Sequence, residues 1–258
     1  MRQALNAEWT KLRTDTSTLW LLLGTVIVTV ALGAGVASGA RCNVRGCAGD
    51  PVELSLTGVM LGQAVIVILA VMAIGNEYST GMIRTTVTLT PRRPVVLAAK
   101  AVVLVCVVAS ASAIAVLGSL LAGRYILPSN GFSLEHGFAA LSLTNGPTLR
   151  AAAGTVIYMS LIALLSLGTA TVVRNSATGT GIVLGLLYVF PILNMVIKDP
   201  EWQRHLQQIA PMTAGLAIQA TRNLQHLPIS PWAGLGVLAA WAAGGLLLGG
   251  FFLQLRDA

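Results

Sequence analysis

Charged residues fall along this chain in clumps, and the gaps between the clumps are nearly uniform. No Asp, Glu, Lys or Arg stands between Asp15 and Arg41, Glu53 and Glu77, Lys100 and Arg124, Arg150 and Arg174, or Arg174 and Lys198, and each of these intervals holds 23 to 25 residues. A helix of that length reaches roughly 34 Å, enough to cross a hydrocarbon core of about 30 Å. A sixth interval, from Arg222 to Arg256, is longer, and its apolar part runs from Trp232 to Leu253. The pattern predicts an all-α, polytopic membrane protein with six transmembrane helices, near 17–40, 55–75, 95–122, 151–173, 177–197 and 232–254. The ten-residue alternating segments of a membrane β-barrel do not occur.

Outside these spans the pattern changes twice. In residues 2–13, Leu5, Trp9 and Leu12 share one helical face, and Arg2, Lys11 and Arg13 lie off it. That arrangement predicts an amphipathic helix lying in the membrane interface. Asp15, Thr16 or Ser17 is placed to cap the first span. The segment from Lys198 to Pro231 carries Pro200, Pro211, Pro228 and Pro231, and its apolar stretch Met212 to Ala220 is too short to cross. It is expected to be re-entrant or interfacial, before the last span. The chain therefore reads as one transmembrane domain, 1–258, with residues 1–16 forming the interfacial helix and 17–254 the six-helix bundle. The first span, with Ser38-Gly39-Ala40 at its end, is read as a span rather than a cleaved leader.

Composition agrees. Of 258 residues, 55% are hydrophobic and 10% charged, and the mean hydropathy is +0.78. A soluble domain carries about 25% charged residues. The net charge of +7 has no basic helix face with interleaved aromatics behind it, so nucleic acid is not an expected partner. With both termini on the cytoplasmic side, nine Lys and Arg fall inside and seven outside, densest from Arg84 to Lys100. The positive-inside rule favours that orientation. Cys42 and Cys47 flank a short loop on the opposite side, where a disulfide is a possibility; no metal site is expected there, since no His or second Cys pair lies nearby.

Candidate chemistry is sparse. Lys100 at the start of the third span apart, no charged residue lies within the predicted spans, so a proton relay has no evident carrier. Gln63, Asn194, Tyr188 and Thr29 are the polar groups at depth; each either lines a pathway or makes a private hydrogen bond between helices. No phosphate-binding Gly-x-x-x-x-Gly-Lys-Ser/Thr stretch and no His-Glu-x-x-His occurs. The chain is therefore not expected to be an enzyme. Three Gly-x-x-x-Gly pairs, Gly35/Gly39, Gly181/Gly185 and Gly245/Gly249, suit close helix packing, within one chain or between two.

The most informative polar segment is Asn76-Glu77-Tyr78-Ser79-Thr80-Gly81-Met82-Ile83-Arg84, followed by Pro91-Arg92 and Lys100. It predicts a short helix, about Thr80 to Leu89, stopped by Pro91. This segment resembles the signature loop of ABC-2 type transporter permeases, and the opening Glu8-Trp9-Thr10-Lys11-Leu12-Arg13 resembles that of many actinobacterial members. The likeness extends over the whole chain in length, span number and the broken segment before the last span. Many members have Thr after the loop glycine, where this chain has Met82.

The resemblance implies the membrane subunit of a bacterial ABC exporter in the cytoplasmic membrane, multi-pass, with cytoplasmic termini. The helix near Gly81 to Leu89 would be a coupling helix, with Glu77, Tyr78, Gly81, Met82, Ile83, Arg84 and Thr85 at or beside a separate ATPase subunit. Arg174 and Asn175 would make a smaller second contact. Two copies, or this chain and a close relative, would pair with two ATPase subunits; ATP and Mg would belong to those partners, and no cofactor to this chain. A non-transporting immunity or scaffold protein is the alternative, and an ion-coupled carrier a more distant one.

Overall fold

The computed structural model describes residues 2–42, 49–80, 93–139, 141–197 and 199–255. It is all-α among those residues, with six helices long and apolar enough to cross a membrane. The protein is thus an all-α polytopic membrane protein.

Helix α1 (Arg2–Thr14) is joined to α2 (Thr16–Gly39) by the single residue Asp15. Of the three capping candidates Asp15 takes the role, its carboxylate accepting from the Ser17 N–H at 3.0 Å. The second span is two helices in series, α3 (Pro51–Leu56) and α4 (Val59–Ser79). Asp50 caps α3 through the Val52 N–H at 3.0 Å, and Pro51 sits at the first helical position, where its missing N–H costs nothing. The remaining spans are α5 (Arg93–Ile126), α6 (Gly146–Val173), α7 (Ser176–Val196) and α10 (Pro231–Leu255). Pro191 lies inside α7, which continues to Val196. The short helices α8 (Pro200–Ile209) and α9 (Pro211–Leu216) precede α10.

The break between α3 and α4 is where α2 makes its closest approach. A Cβ on Gly58 would stand 2.0 Å from the Thr29 carbonyl oxygen, and one on Gly33 would stand 2.3 Å from that of Ser55. Small residues let these backbones touch. That matters in a bilayer, where lipid is as apolar as the helix faces and association rests on packing.

Burial separates central from peripheral helices. The spans containing α4 and α6 are 61% and 56% buried, whereas those of α2, α7 and α10 are 17%, 17% and 22% buried. Helices α4 and α6 form the spine, with Val59, Ile66, Val67 and Val71 facing Tyr158, Met159 and Ile162 in one core. Segment α9 folds back among the spans. Its Met212 and Gly215 are buried, and a Cβ on Gly215 would meet the Tyr158 ring at 2.6 Å. The Trp241 indole N–H of α10 donates to the Ile209 carbonyl at 3.0 Å, fixing the end of α8.

Both described ends of the chain lie at one end of the bundle. Helix α1 is bonded to Lys100 near the start of α5, and Gly250 near the end of α10 stands beside Leu97. We call this the terminal end.

Two expected boundaries are corrected. The second span does not stop at 75 but carries Glu77 inside α4, and α5, which holds Lys100 as the expected span did, runs past 122 to Ile126. Membrane-length helices therefore do contain charged side chains. They are tolerated because they are paired.

Candidate functional site

At the terminal end, three helices bring four charges together. Glu8 and Lys11 lie one turn apart on α1, Glu77 is on the last turn of α4, and Lys100 is near the start of α5. The Lys100 ammonium donates to Glu8 Oε2 at 2.5 Å, to Glu77 Oε1 at 3.0 Å and to the Ala73 carbonyl at 3.0 Å. All three of its donors are used. Lys11 donates to Glu77 Oε1 at 2.8 Å and to Glu8 Oε1 at 3.0 Å. Side-chain exposure is 4%, 5% and 4% for Glu8, Glu77 and Lys100, but 37% for Lys11. The quartet is neutral in sum, which is what permits its burial. Burial pulls the Lys11 ammonium toward deprotonation, but its hydrogen bond to Glu77 and the charges of Glu8 and Glu77 outweigh this and hold its pKa above the ordinary lysine value.

The quartet has one loose end. Glu77 Oε2 is buried and has no hydrogen-bond partner among the described residues, while Oε1 accepts from both lysines. Beside it is a cavity of about 410 Å³, lined among others by Lys11, Leu12, Asp15, Leu21, Met72 and Glu77.

The helix α1 expected from the sequence forms. Among the described side chains of α1, Glu8 is the buried one; Leu5 and Leu12 are half-buried and Trp9 is 51% exposed. An electrostatic anchor, rather than the apolar Leu5–Trp9–Leu12 face, decides which side of α1 meets the bundle.

Next to the quartet, the turn between α6 and α7 rests on the end of α4. Arg174 closes α6 in the left-handed conformation, φ 59°, uncommon for a residue with a side chain. Its guanidinium stands 5.4 Å from the Tyr78 ring centroid, a cation–π distance. Asn175 caps α7 through the Thr178 N–H at 3.0 Å. A Cβ on Gly75 would stand 2.0 Å from Ser176 Oγ and 3.0 Å from its Cβ, so a larger residue on α4 would have to push the Ser176 side chain aside. The structure thus gathers Glu77, Tyr78, Arg174 and Asn175 at one end. The other residues of the expected coupling helix, Gly81, Met82, Ile83, Arg84 and Thr85, lie outside the described residues, as does the helix expected over Thr80 to Leu89 beyond its first residue.

Gln63 and Tyr188 tie helices together through their side chains, whereas Thr29 Oγ1 and Asn194 Oδ1 are buried with no hydrogen-bond partner among the described residues. Gln63 is fully buried; the Tyr158 hydroxyl donates to its Oε1, and its Nε2 donates to the Met60 carbonyl at 3.1 Å and Met212 Sδ at 3.2 Å. The Tyr188 hydroxyl donates to the same Met60 carbonyl, joining α7 to α4. Thr29 is fully buried against Gly62. Asn194 is half-buried, and its backbone carbonyl accepts from the Gln203 side-chain amide at 3.2 Å.

At the far end, Asp50 does more than cap α3. Its carboxylate accepts from the Thr221 N–H at 2.5 Å, the Thr221 hydroxyl at 2.8 Å and the Arg222 N–H at 3.0 Å. Arg222 stands over the Phe138 ring at 4.4 Å. Cys42 is buried and disulfide-bonded and Cys106 is free; Cys47 lies outside the described residues. No group of three His, Cys, Asp or Glu that could hold a metal occurs among the described residues.

Sequence reasoning missed the quartet and the Asp50 latch. The signal for the first was present: two acids and two bases, on three segments, all border apolar runs at the same end of the predicted topology.

No protein-family model matches this chain, and no curated protein matches it. Fold and site define the class alone: a six-span helical membrane protein with a buried ion network at its terminal end.

Proposed function

We propose that this chain is the membrane-spanning permease subunit of an ATP-driven exporter of the ABC-2 type. It works as a pair and is driven by a separate ATPase subunit. The terminal end is the cytoplasmic end in this reading. The observation that carries it is the placement of the signature-like segment. Its Glu77 and Tyr78 close α4, with Glu77 bound to two lysines and Tyr78 beside Arg174. A partner pressing there meets a rigid base and can tilt several helices at once. Ionisable residues buried in membrane helices are functional by default, because their cost must be offset by use.

Pairing draws support from the glycine motifs. Gly245 and Gly249 are used inside the chain: a Cβ on Gly168 would stand 2.4 Å from the Gly245 carbonyl carbon, and one on Gly249 2.9 Å from the Gly168 oxygen. Around Gly35, Gly39, Gly181 and Gly185 an added methyl meets nothing within 4 Å. Helices α2 and α7, which carry these open stripes, are also sparsely buried. They are the natural seam for a second copy.

Copurification from native membrane tests the reading. An ATPase subunit is expected to associate, and Arg84→Glu combined with Gly81→Pro is expected to abolish export. Absence of any such subunit, with export intact in the double variant, overturns it and favours a scaffold or immunity role.

A further inference from the structure

Helix α8 borders two hollows of opposite character. The first is an apolar groove of about 700 Å³ between α7 and α10, lined among others by Ile182 and Leu186 of α7, Ile209 of α8, and Val237, Trp241 and Leu248 of α10. From Val237 to Leu248 it follows about three turns of α10, roughly 16 Å, which is close to half of a hydrocarbon core of about 30 Å. Ile182, Ile209 and Leu248 are exposed, and α7 and α10 are sparsely buried spans, so the groove opens sideways toward the bilayer. Gly244 is part of its wall, and a methyl added there meets nothing within 4 Å. The second hollow is a polar cleft of about 580 Å³ between α8 and residues 225–228. Gln203, Arg204 and Gln207, on one face of α8, line it together with Gln225 and His226. Arg204 has no ion pair or hydrogen bond among the described residues; Glu201, one turn earlier on α8, does not reach it. Gln208 belongs to both hollows, and its Nε2 donates to the Pro228 carbonyl at 2.7 Å where they meet.

A polar cleft holding an unpaired cation, joined to an apolar groove about one leaflet deep, has the outline of an anionic phospholipid. We propose that this chain holds such a lipid there, its phosphate at Arg204 and one acyl chain between α7 and α10. Hydrocarbon is as apolar as the groove walls, so the groove by itself gives a chain little reason to stay. Preference comes from the head: an ionised phosphate accepts charge-assisted bonds from the Arg204 guanidinium, with the amides of Gln207 and Gln225 alongside. The chain then lies against the exposed side of Ile209, at the end of α8 that Trp241 fixes to α10. The site is independent of the exporter reading, and its test uses the chain alone.

The protein is placed in nanodiscs doped with phosphatidylglycerol or phosphatidylcholine, each carrying a diazirine midway along one acyl chain. After irradiation, labelled peptides are mapped by mass spectrometry, and the exposed Ile114 and Leu121 of α5 report contact with bulk lipid. The phosphatidylglycerol probe is expected to label 182–186 and 237–248 well above α5, and about tenfold more than the phosphatidylcholine probe does. On α5 the two probes are expected to label equally. Arg204→Gln is expected to erase the difference between the probes in the groove. Gly244→Leu, which fills the groove, is expected to lower its labelling to the level of α5. Ile182→Trp fills it from α7 and keeps the test open if Gly244→Leu does not fold. Groove labelling no higher than that of α5, or equal labelling of the groove by the two probes, overturns the proposal. So does crosslinking of the groove to a second copy of the chain in place of lipid, which makes it a seam between proteins.

Discussion

Replacing Lys100 with Met removes one charge from the quartet with little change in side-chain length. The ammonium is 4% exposed and donates to two carboxylates and a backbone carbonyl. Met leaves Glu8 and Glu77 sharing Lys11 alone, so one buried carboxylate has no counter-charge. Removing one partner of a buried ion pair costs about 3–5 kcal/mol. For a chain of this size that is a fall in melting temperature on the order of 10 °C. The double variant Glu8→Gln, Lys100→Met takes one acid and one base away together and leaves Lys11 with Glu77. It is expected to recover much of the loss, giving a coupling energy of about 1–3 kcal/mol in a double-mutant cycle. Thermal unfolding in nanodiscs, read by retention of the monodisperse peak after heating, measures all four corners of the cycle. Additive losses, or Lys100→Met as stable as the parent, would refute the argument that these four groups share one electrostatic account.

Three further outcomes are expected. Tyr158→Phe leaves Gln63 Oε1 buried and unpaired, a loss of about 1–3 kcal/mol by thermal unfolding, whereas Tyr158→Phe with Gln63→Leu is expected to cost less than the single change. Gly58→Ala drives a methyl into the Thr29 carbonyl and is expected to destabilise by about 1–3 kcal/mol; Gly236→Ala on α10, where an added methyl meets nothing within 4 Å, is not expected to destabilise, and the contrast checks the close approach of α2. The raised Lys11 pKa means that its ionic contribution is present throughout the range below its unfolded-state value and is lost as pH climbs through the still higher folded-state value. The stability difference between parent and Lys11→Met should accordingly be flat across neutral pH and shrink above 10.5, the ordinary lysine value; shrinkage near neutrality would contradict the pairing.

The spans were legible because a bilayer imposes one length on every crossing helix, and charge-free intervals report that length directly. Their borders were not. An interval ends at a charge, but a helix ends only where a charge has no partner, and Glu77 and Lys100 have theirs. Those partners stand 66 and 92 residues away in the chain, as in Lys11 to Glu77 and Lys100 to Glu8, beyond any local pattern. The same distance explains α1. Spacing placed the Leu5, Trp9 and Leu12 face in the membrane interface, and it had no means of naming Lys100 as the group that Glu8 meets in the bundle. Asp50 shows the reverse case. Its capping of α3 is a local signal, but its grip on Thr221 and Arg222 depends on a contact 171 residues away. Gln63 could be recognised as polar at depth, though its partners Tyr158 and Met212 come from two other elements.

Charge is spent in this fold only where apolar packing gives too little direction. Along the spans, small residues and shape suffice: α2 meets the α3–α4 break through Gly33 and Gly58, and α6 meets α10 through Gly168 and Gly245. Helix α1 has neither resource. It is short, its Leu5 and Leu12 are only half-buried and its Trp9 is exposed, so apolar packing against the bundle gives it little direction. A neutral quartet chooses it, since any other position of α1 leaves Lys100 and Glu77 partly unpaired inside the protein.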